Sequence, residues 1–218
     1  MAQFDLVIFD LDGTLLDTIG DVAHCFNEAL LRNGFPAWPV EEYSRLVGGD
    51  LETIVARLLP EESRDRASID SVKGLYRKLY AESDKPQTHP YEGIPELLDG
   101  LSSRAVSLAI NTNKGQVLAE GCMRRFFPTF EGMIVGYDEG RPSKPNPFGV
   151  TAILTATGHP ASRTLYVGDG LTDLRTAQSS GISFAYVTWG QGCDRELIDE
   201  SDYVVSSAYD LGKLIIRG

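Results

Sequence analysis

The segment Leu6-Val7-Ile8-Phe9-Asp10-Leu11-Asp12-Gly13-Thr14 constrains this chain more than any other. Four apolar residues in a row read as a strand buried on both faces of a parallel sheet. The run then ends in two carboxylates separated by one residue. Ligands of parallel sheets sit beyond the carboxyl ends of the strands, where Asp10 and Asp12 emerge. Side chains alternate along extended backbone, so the two aspartates are expected to point the same way while Leu11 packs in the opposite direction. Two like charges so placed call for a cation. Mg²⁺ suits them, since it is held by one or two carboxylates, several waters and substrate phosphate oxygens. Taken alone, the segment could equally be a turn, because Asp and Gly favour turns.

Three later segments break that tie. An apolar run over 105–110 leads into Asn111-Thr112-Asn113-Lys114-Gly115, whose hydroxyl and amides can bind a phosphoryl oxygen, or whose Thr112 or Asn113 can cap a helix. Arg141-Pro142-Ser143-Lys144-Pro145-Asn146-Pro147 is a loop stiffened by three prolines, with Asn146 as cap and Pro147 as first helical residue. A lone loop lysine is ordinarily solvated, yet Lys144 is held rigidly, and positioned charge stabilises a transition state better than mobile charge. Leu165-Tyr166-Val167-Gly168-Asp169-Gly170-Leu171-Thr172-Asp173 is another strand ending in carboxylates, which would gather charge without a counterion if it had no ligand.

In order along the chain, Asp10-x-Asp12-Gly13-Thr14, Thr112, Lys144 in Lys-Pro-x-Pro, and Gly168-Asp169-x-x-x-Asp173 resemble the four motifs of the haloacid dehalogenase-like (HAD) superfamily. The resemblance covers nearly the whole chain. It implies that Asp10 attacks phosphorus to form an aspartyl-phosphate and that Asp12 is the general acid/base, its backbone carbonyl rather than its carboxylate meeting the metal. Thr112 would hydrogen-bond the phosphoryl group and Lys144 would neutralise charge there. Asp169 would complete a Mg²⁺ site, with Asp173 either a further ligand or a partner that orients Lys144 or a bound water.

From residue 91 onward helices alternate with strands: helices are expected over 94–102, 116–126, 148–156 and 171–180, and strands over 105–110, 133–135, 165–167 and 184–187. That pattern means a doubly wound α/β parallel sheet, a Rossmann-like core made of 1–15 and 90–218. Between its parts, 16–89 reads as all helical. Ile19, Val22, Ala23, Phe26, Ala29 and Leu30 recur at helical spacing before Gly34, with Asp17 or Thr18 as cap, and further helices are expected over 41–47, 51–59 and 64–83. An all-helical insert directly after the first strand is a candidate lid, and in the superfamily it looks like a helical cap.

The resemblance is strongest to phosphoglycolate phosphatases and their relatives, supported by Asn27, Leu30, a loop Arg45-Leu46-Val47-Gly48-Gly49 and Thr112-Asn113-Lys114. Substrate contacts are therefore expected from Thr112, Asn113, Lys144, Gly48 and Gly49, although the two glycines could simply end a helix. Asp12 points away from the family's dehalogenases, which lack an aspartate there. A β-phosphoglucomutase-like phosphotransferase is the nearest rival, but such mutases tend to carry a histidine and a loop cation where this chain has Val22 and Asp50. A phosphorylatable receiver-like signalling module is a rival of another class; it would need neither Asp12 nor a lid. His24, His89 and His159 are read as structural or solvent-facing.

A net charge of -11 disfavours nucleic acid and anionic membranes as partners and leaves a small phosphorylated metabolite, whose charge is met locally. No apolar run approaches the roughly 20 residues of a membrane helix. A strand begins almost at once, leaving no room for a signal peptide, so a cytoplasmic location is expected, as monomer or homodimer. Cys25, Cys122 and Cys193 lack metal or disulfide spacing and are expected to be inert thiols.

Overall fold

The computed structural model describes residues 2–192 and 194–216, so Cys193 lies outside the described residues. Two compact units divide the chain: one takes everything up to Leu16 and from Pro90 onward, the other Asp17–His89. In chain order the elements are β1 (Leu6–Phe9), β2 (Leu16–Asp17), α1 (Ile19–Arg32), α2 (Tyr43–Leu46), α3 (Leu51–Leu58), α4 (Arg66–Glu82), β3 (His89–Pro90), α5 (Ile94–Ser102) and β4 (Ser107–Gly115). They continue with α6 (Gln116–Phe126), β5 (Met133–Tyr137), α7 (Phe148–Thr157), β6 (Thr164–Gly168), α8 (Leu171–Ser180), β7 (Ser183–Val187), α9 (Arg195–Glu200), β8 (Tyr203–Val205) and α10 (Ala208–Ile216).

In the α/β unit six parallel strands lie in the order β5-β4-β1-β6-β7-β8. β1 is the centre, paired with β4 on one side (Leu6 beside Ser107) and β6 on the other (Leu6 beside Thr164). The winding direction reverses here, and the carboxyl ends of strands at such a reversal are where a doubly wound sheet binds ligands. The expected fold class is thus the observed one.

Strict alternation sorts the core into two layers. Val7, Phe9, Leu165, Val167, Ala185 and Val187 pack with residues of α5, α6 and α10, while Leu6, Ile8, Tyr166, Phe184 and Tyr186 pack with residues of α7, α8 and α9. Asp10 continues the Leu6-Ile8 parity, and Lys144 precedes α7 while Asp173 lies on α8. The period of two in one short strand thus selects the sheet face on which its acid meets its partners.

Several boundaries differ from expectation. β4 runs on through Thr112 and Asn113 to Gly115, because this polar stretch stays extended beside β5 with a register irregularity after Asn111. Neither residue caps a helix; Gly115 holds the cap position of α6. At α7 it is Pro147 that occupies the cap position, with helix from Phe148, while Asn146 Oδ1 accepts the Phe148 N–H. Thr18 makes no capping bond to α1, and Asp17 Oδ1 takes the Ile19 N–H instead. The expected 41–47 helix is a 3₁₀ turn followed by the short α2. α9, β8 and α10 extend the alternation beyond residue 187.

The helical unit has its own core. Phe26 of α1 stacks on Tyr76 of α4 with ring centroids 3.7 Å apart, and Tyr43 and Tyr80 extend the aromatic column. Asn27 is consumed structurally: its amide donates to the Trp38 carbonyl, and its oxygen accepts the Trp38 N–H and the Tyr43 hydroxyl, each at 2.8 Å. Among the described residues, no helix is long and apolar enough to cross a membrane. Cys25 and Cys122 are buried.

Candidate active site

Each strand end beside the reversal contributes charge. From β1, Asp10 is buried and accepts a bond from Lys144 Nζ at 2.7 Å; the same ammonium donates to Asp173 Oδ1 at 2.6 Å. Asp169, following β6, completes a group of three buried carboxylates whose oxygens lie within 4.8 Å of one another. Burial, reinforced by Asp173 and Asp169, pushes the Asp10 carboxyl up to about 7 despite the opposing pull of Lys144. Burial and Asp173 likewise raise Asp169 to about 6, against hydrogen bonds from the Gln191 N–H and the Thr14 hydroxyl. Burial opposes the charge of Lys144, but Asp10 and Asp173 outweigh it and hold the lysine well above its ordinary value.

Three carboxylates against one ammonium leave an excess of two negative charges in a buried place. A divalent cation would balance that excess, and a donor set made only of carboxylate oxygens suits a hard ion. The residues therefore fit a divalent cation, which Asp10, Asp169 and Asp173 could hold.

The lysine is fixed from its backbone as well as its tip. Asn113 Oδ1 accepts the Lys144 N–H at 2.8 Å, and Asn113 Nδ2 donates to the Lys144 carbonyl at 3.2 Å. The side chain of Asn113, expected to touch substrate, thus clamps the lysine loop. Thr112 is buried beside it, with its hydroxyl accepting the Lys114 N–H at 3.2 Å. Asp173 also reaches back to its own helix, accepting the Gly170 N–H at 3.1 Å at the start of α8. Asp173 thus contacts Lys144 and also belongs to the group of three carboxylates that could hold an ion, so both roles expected for it stay open.

Asp12 is placed differently from Asp10. β1 ends at Phe9 and the chain bends at Leu11, before Gly13 turns it with φ of +85°, so the extended backbone expected through Asp12 is not kept. The Asp12 carboxylate stays outside the buried group and pairs with Lys114, whose Nζ lies 2.7 and 2.9 Å from its two oxygens. Lys114 is a site residue whose partner the linear sequence does not reveal. So are three residues after β7. Gln191 donates its N–H to Asp169 Oδ2 at 2.8 Å, Trp189 Nε1 donates to the Thr14 carbonyl at 3.0 Å, and a Cβ on Gly190 would lie 2.3 Å from that of Asp169. Their signal is an apolar run ending in Trp189-Gly190-Gln191-Gly192, the same pattern that marks the other strand ends. Gly13 is equally constrained, since a Cβ there would lie 2.4 Å from Asp169 Oδ2.

Gly48 and Gly49 lie in the helical unit between α2 and α3, at φ of +115° and +91°. Asp50 caps α3, accepting the Thr53 N–H at 2.8 Å. Of the histidines, His24 and His89 are exposed and His159 contacts Ser107 Oγ.

Residues 7–187 match the family model of haloacid dehalogenase-like hydrolases. A phosphoglycolate phosphatase of Pseudomonas syringae pv. syringae is 32% identical over 219 residues, covering 96% of this chain and 78% of that protein. Another, from Aliivibrio fischeri, is 28% identical over 94% of this chain and 92% of its own length. A solved structure from Lactobacillus delbrueckii subsp. bulgaricus shares the fold with a TM-score of 0.91 and 24% identity, covering all of both chains. The chain belongs to the haloacid dehalogenase-like hydrolase family. Within that family it is a phosphatase of phosphoglycolate phosphatase-like character.

Proposed function

We propose that the chain hydrolyses small phosphate monoesters, phosphoglycolate among them, through a covalent intermediate on Asp10 with Mg²⁺ as cofactor. The observation that carries this reading is the buried cluster in which one ammonium, Lys144, bridges Asp10 and Asp173 with Asp169 in reach. Asp10, Asp169 and Asp173, with the backbone carbonyl of Asp12, would hold the ion. Mg²⁺, when bound, supplies positive charge to the phosphoryl oxygens.

A carboxylate oxygen of Asp10 attacks phosphorus as the ester oxygen departs, and Asp12 gives that oxygen its proton. Water then attacks the phosphorus of the aspartyl-phosphate while Asp12 takes its proton, so Asp10 is regenerated and phosphate leaves. Thr112 holds a phosphoryl oxygen, and Lys144 offsets the charge shared between the nucleophile and the phosphoryl group. Asn113 serves by fixing the Lys144 backbone, and any contact of its own with substrate would be made by its main chain. In this reading the helical unit acts as the family's cap, with Gly48 and Gly49 as a substrate-facing turn. Their left-handed backbone keeps side chains out of that turn.

The test is phosphate release from phosphoglycolate and from p-nitrophenyl phosphate with Mg²⁺ present, together with mass spectrometry of acid-quenched enzyme. One phosphate per ester and a transient phosphoryl adduct on the Asp10 peptide are expected. A stable phosphorylated protein without turnover would instead mark a signalling module. Interconversion of β-glucose 1-phosphate and glucose 6-phosphate outpacing phosphate release would mark a mutase.

A further inference from the structure

We infer that Lys114 sets substrate specificity by receiving a second anionic group, a carboxylate joined through one carbon to the ester oxygen; this rests on Asp12 acting at that oxygen. Lys114 is the penultimate residue of β4, and its side chain is only 6% exposed, whereas that of Asp12 is 32% exposed. The lysine is therefore the fixed, desolvated member of the pair and the aspartate the one in contact with water.

The two site lysines are divided. Lys144 is committed to Asp10 and Asp173, at the place where phosphorus is attacked. Lys114 is one hydrogen bond beyond the Asp12 carboxylate, hence on the leaving-group side. In a phosphorylated 2-hydroxy acid the carboxylate carbon is two bonds from the ester oxygen. That short span places the carboxylate beside the Asp12 oxygens, within reach of the same ammonium. Exchanging one carboxylate for another keeps the charge around Lys114 balanced, and a buried ammonium already oriented by its strand loses little freedom on pairing. A neutral leaving group in that position would leave Lys114 with Asp12 and gain nothing from it.

The experiment compares kcat/KM for 2-phosphoglycolate and for its neutral amide, 2-phosphoglycolamide, in the wild type, Lys114→Met and Lys114→Arg. The wild type should prefer the acid by about 10- to 100-fold, the worth of one hydrogen bond to a charged group. In Lys114→Met that ratio should fall to near one, chiefly through a higher KM for the acid, while Lys114→Arg should keep most of it. A residue that merely braces Asp12 would lower both substrates together and leave the ratio intact, which would overturn the inference. The wild-type ratio needs no variant to fold: a value near one would also overturn it while leaving the phosphatase reading standing. If the wild type hydrolyses neither ester, the reading of the site itself fails.

Discussion

Asp10 and Asp21 are both buried acids, one in each unit, and their surroundings differ in kind. Asp21, in the first turn of α1, accepts the Thr88 hydroxyl at 2.6 Å and the Gln87 N–H at 3.1 Å. Its partners are neutral donors, and they tie the returning chain to the helix. Asp10 faces an ammonium and two further carboxylates, which together leave it short of positive charge. A buried acid satisfied by neutral donors holds structure together, whereas one left among like charges is poised to bind or react. The contrast extends to the asparagines: Asn27 stitches helical-unit backbone, while Asn113 stitches the backbone of the lysine paired with Asp10 and Asp173.

The sharpest way to break this contrast is to neutralise each acid. Asp10→Asn should abolish turnover, with loss on the order of 10⁴ or more, as when an acting nucleophile is removed. Its metal-free stability should be unchanged or higher, since a destabilised buried charge is gone. Phosphate release and a thermal melt check both halves. Near-normal activity with Mg²⁺ would remove Asp10 from the nucleophile role.

Removing the metal comes next. Chelation should abolish phosphate release, added Mg²⁺ should restore it, and Asp169→Ala should raise the concentration required. The raised carboxyls add a pH signature. Asp10 and Asp169 titrate near 7 and 6 when folded against an ordinary 3.8, so the metal-free folded protein holds protons that the unfolded chain has released. Their stabilising effect is present at low pH and is lost as pH rises from about 4 through 7. Mg²⁺ must displace those protons, so its thermal stabilisation should be larger at pH 8 than at pH 5. Equal shifts at both values would break the link between the raised carboxyls and the ion.

Thr112→Ala should lower kcat by about 10² to 10³, the effect of losing one donor to a charged oxygen. A fall well below tenfold would place the phosphoryl group elsewhere.

Much of this was legible in the sequence, for identifiable reasons. α5, α6 and α8 fall on their expected bounds because their apolar stripes and glycine breaks are local signals. Asp10, Lys144, Asp169 and Asp173 could be singled out because strand ends and stiff loops are local too. What could not be read depends on tertiary pairing. Asn113 holding Lys144, Lys114 holding Asp12, and Gln191 holding Asp169 join residues far apart in the chain, and no spacing rule connects them. β8 is a three-residue edge strand with one exposed valine, too short to show a period. Asp50, read from the sequence only as an acidic loop residue, also caps a helix.

Asp21→Ala probes the structural side of the contrast. It would leave the Gln87 N–H and Thr88 hydroxyl without their acceptor, at a cost of about 1 to 3 kcal/mol, and the melting temperature should drop by roughly 2 to 4 °C per kcal/mol. Phosphate release per folded molecule should fall far less than in Asp10→Asn. A silent melt combined with lost turnover would reverse the assignment of the two acids.

The smallest effect is expected at Asp50, and it separates a helix cap from a substrate contact. Its carboxylate accepts both the N–H and the hydroxyl of Thr53, and its negative charge sits at the positive end of the α3 dipole. Asp50→Ala should therefore cost about 1 kcal/mol of stability, and Asp50→Asn, which retains a capping oxygen, should cost less. If capping is its whole function, both variants should keep the wild-type KM for phosphoglycolate and should gain no sugar-phosphate isomerisation. A changed KM in Asp50→Asn with an unchanged melt would mean that this loop acid acts on the substrate, and that the helical unit, like the α/β unit, commits a carboxylate to chemistry.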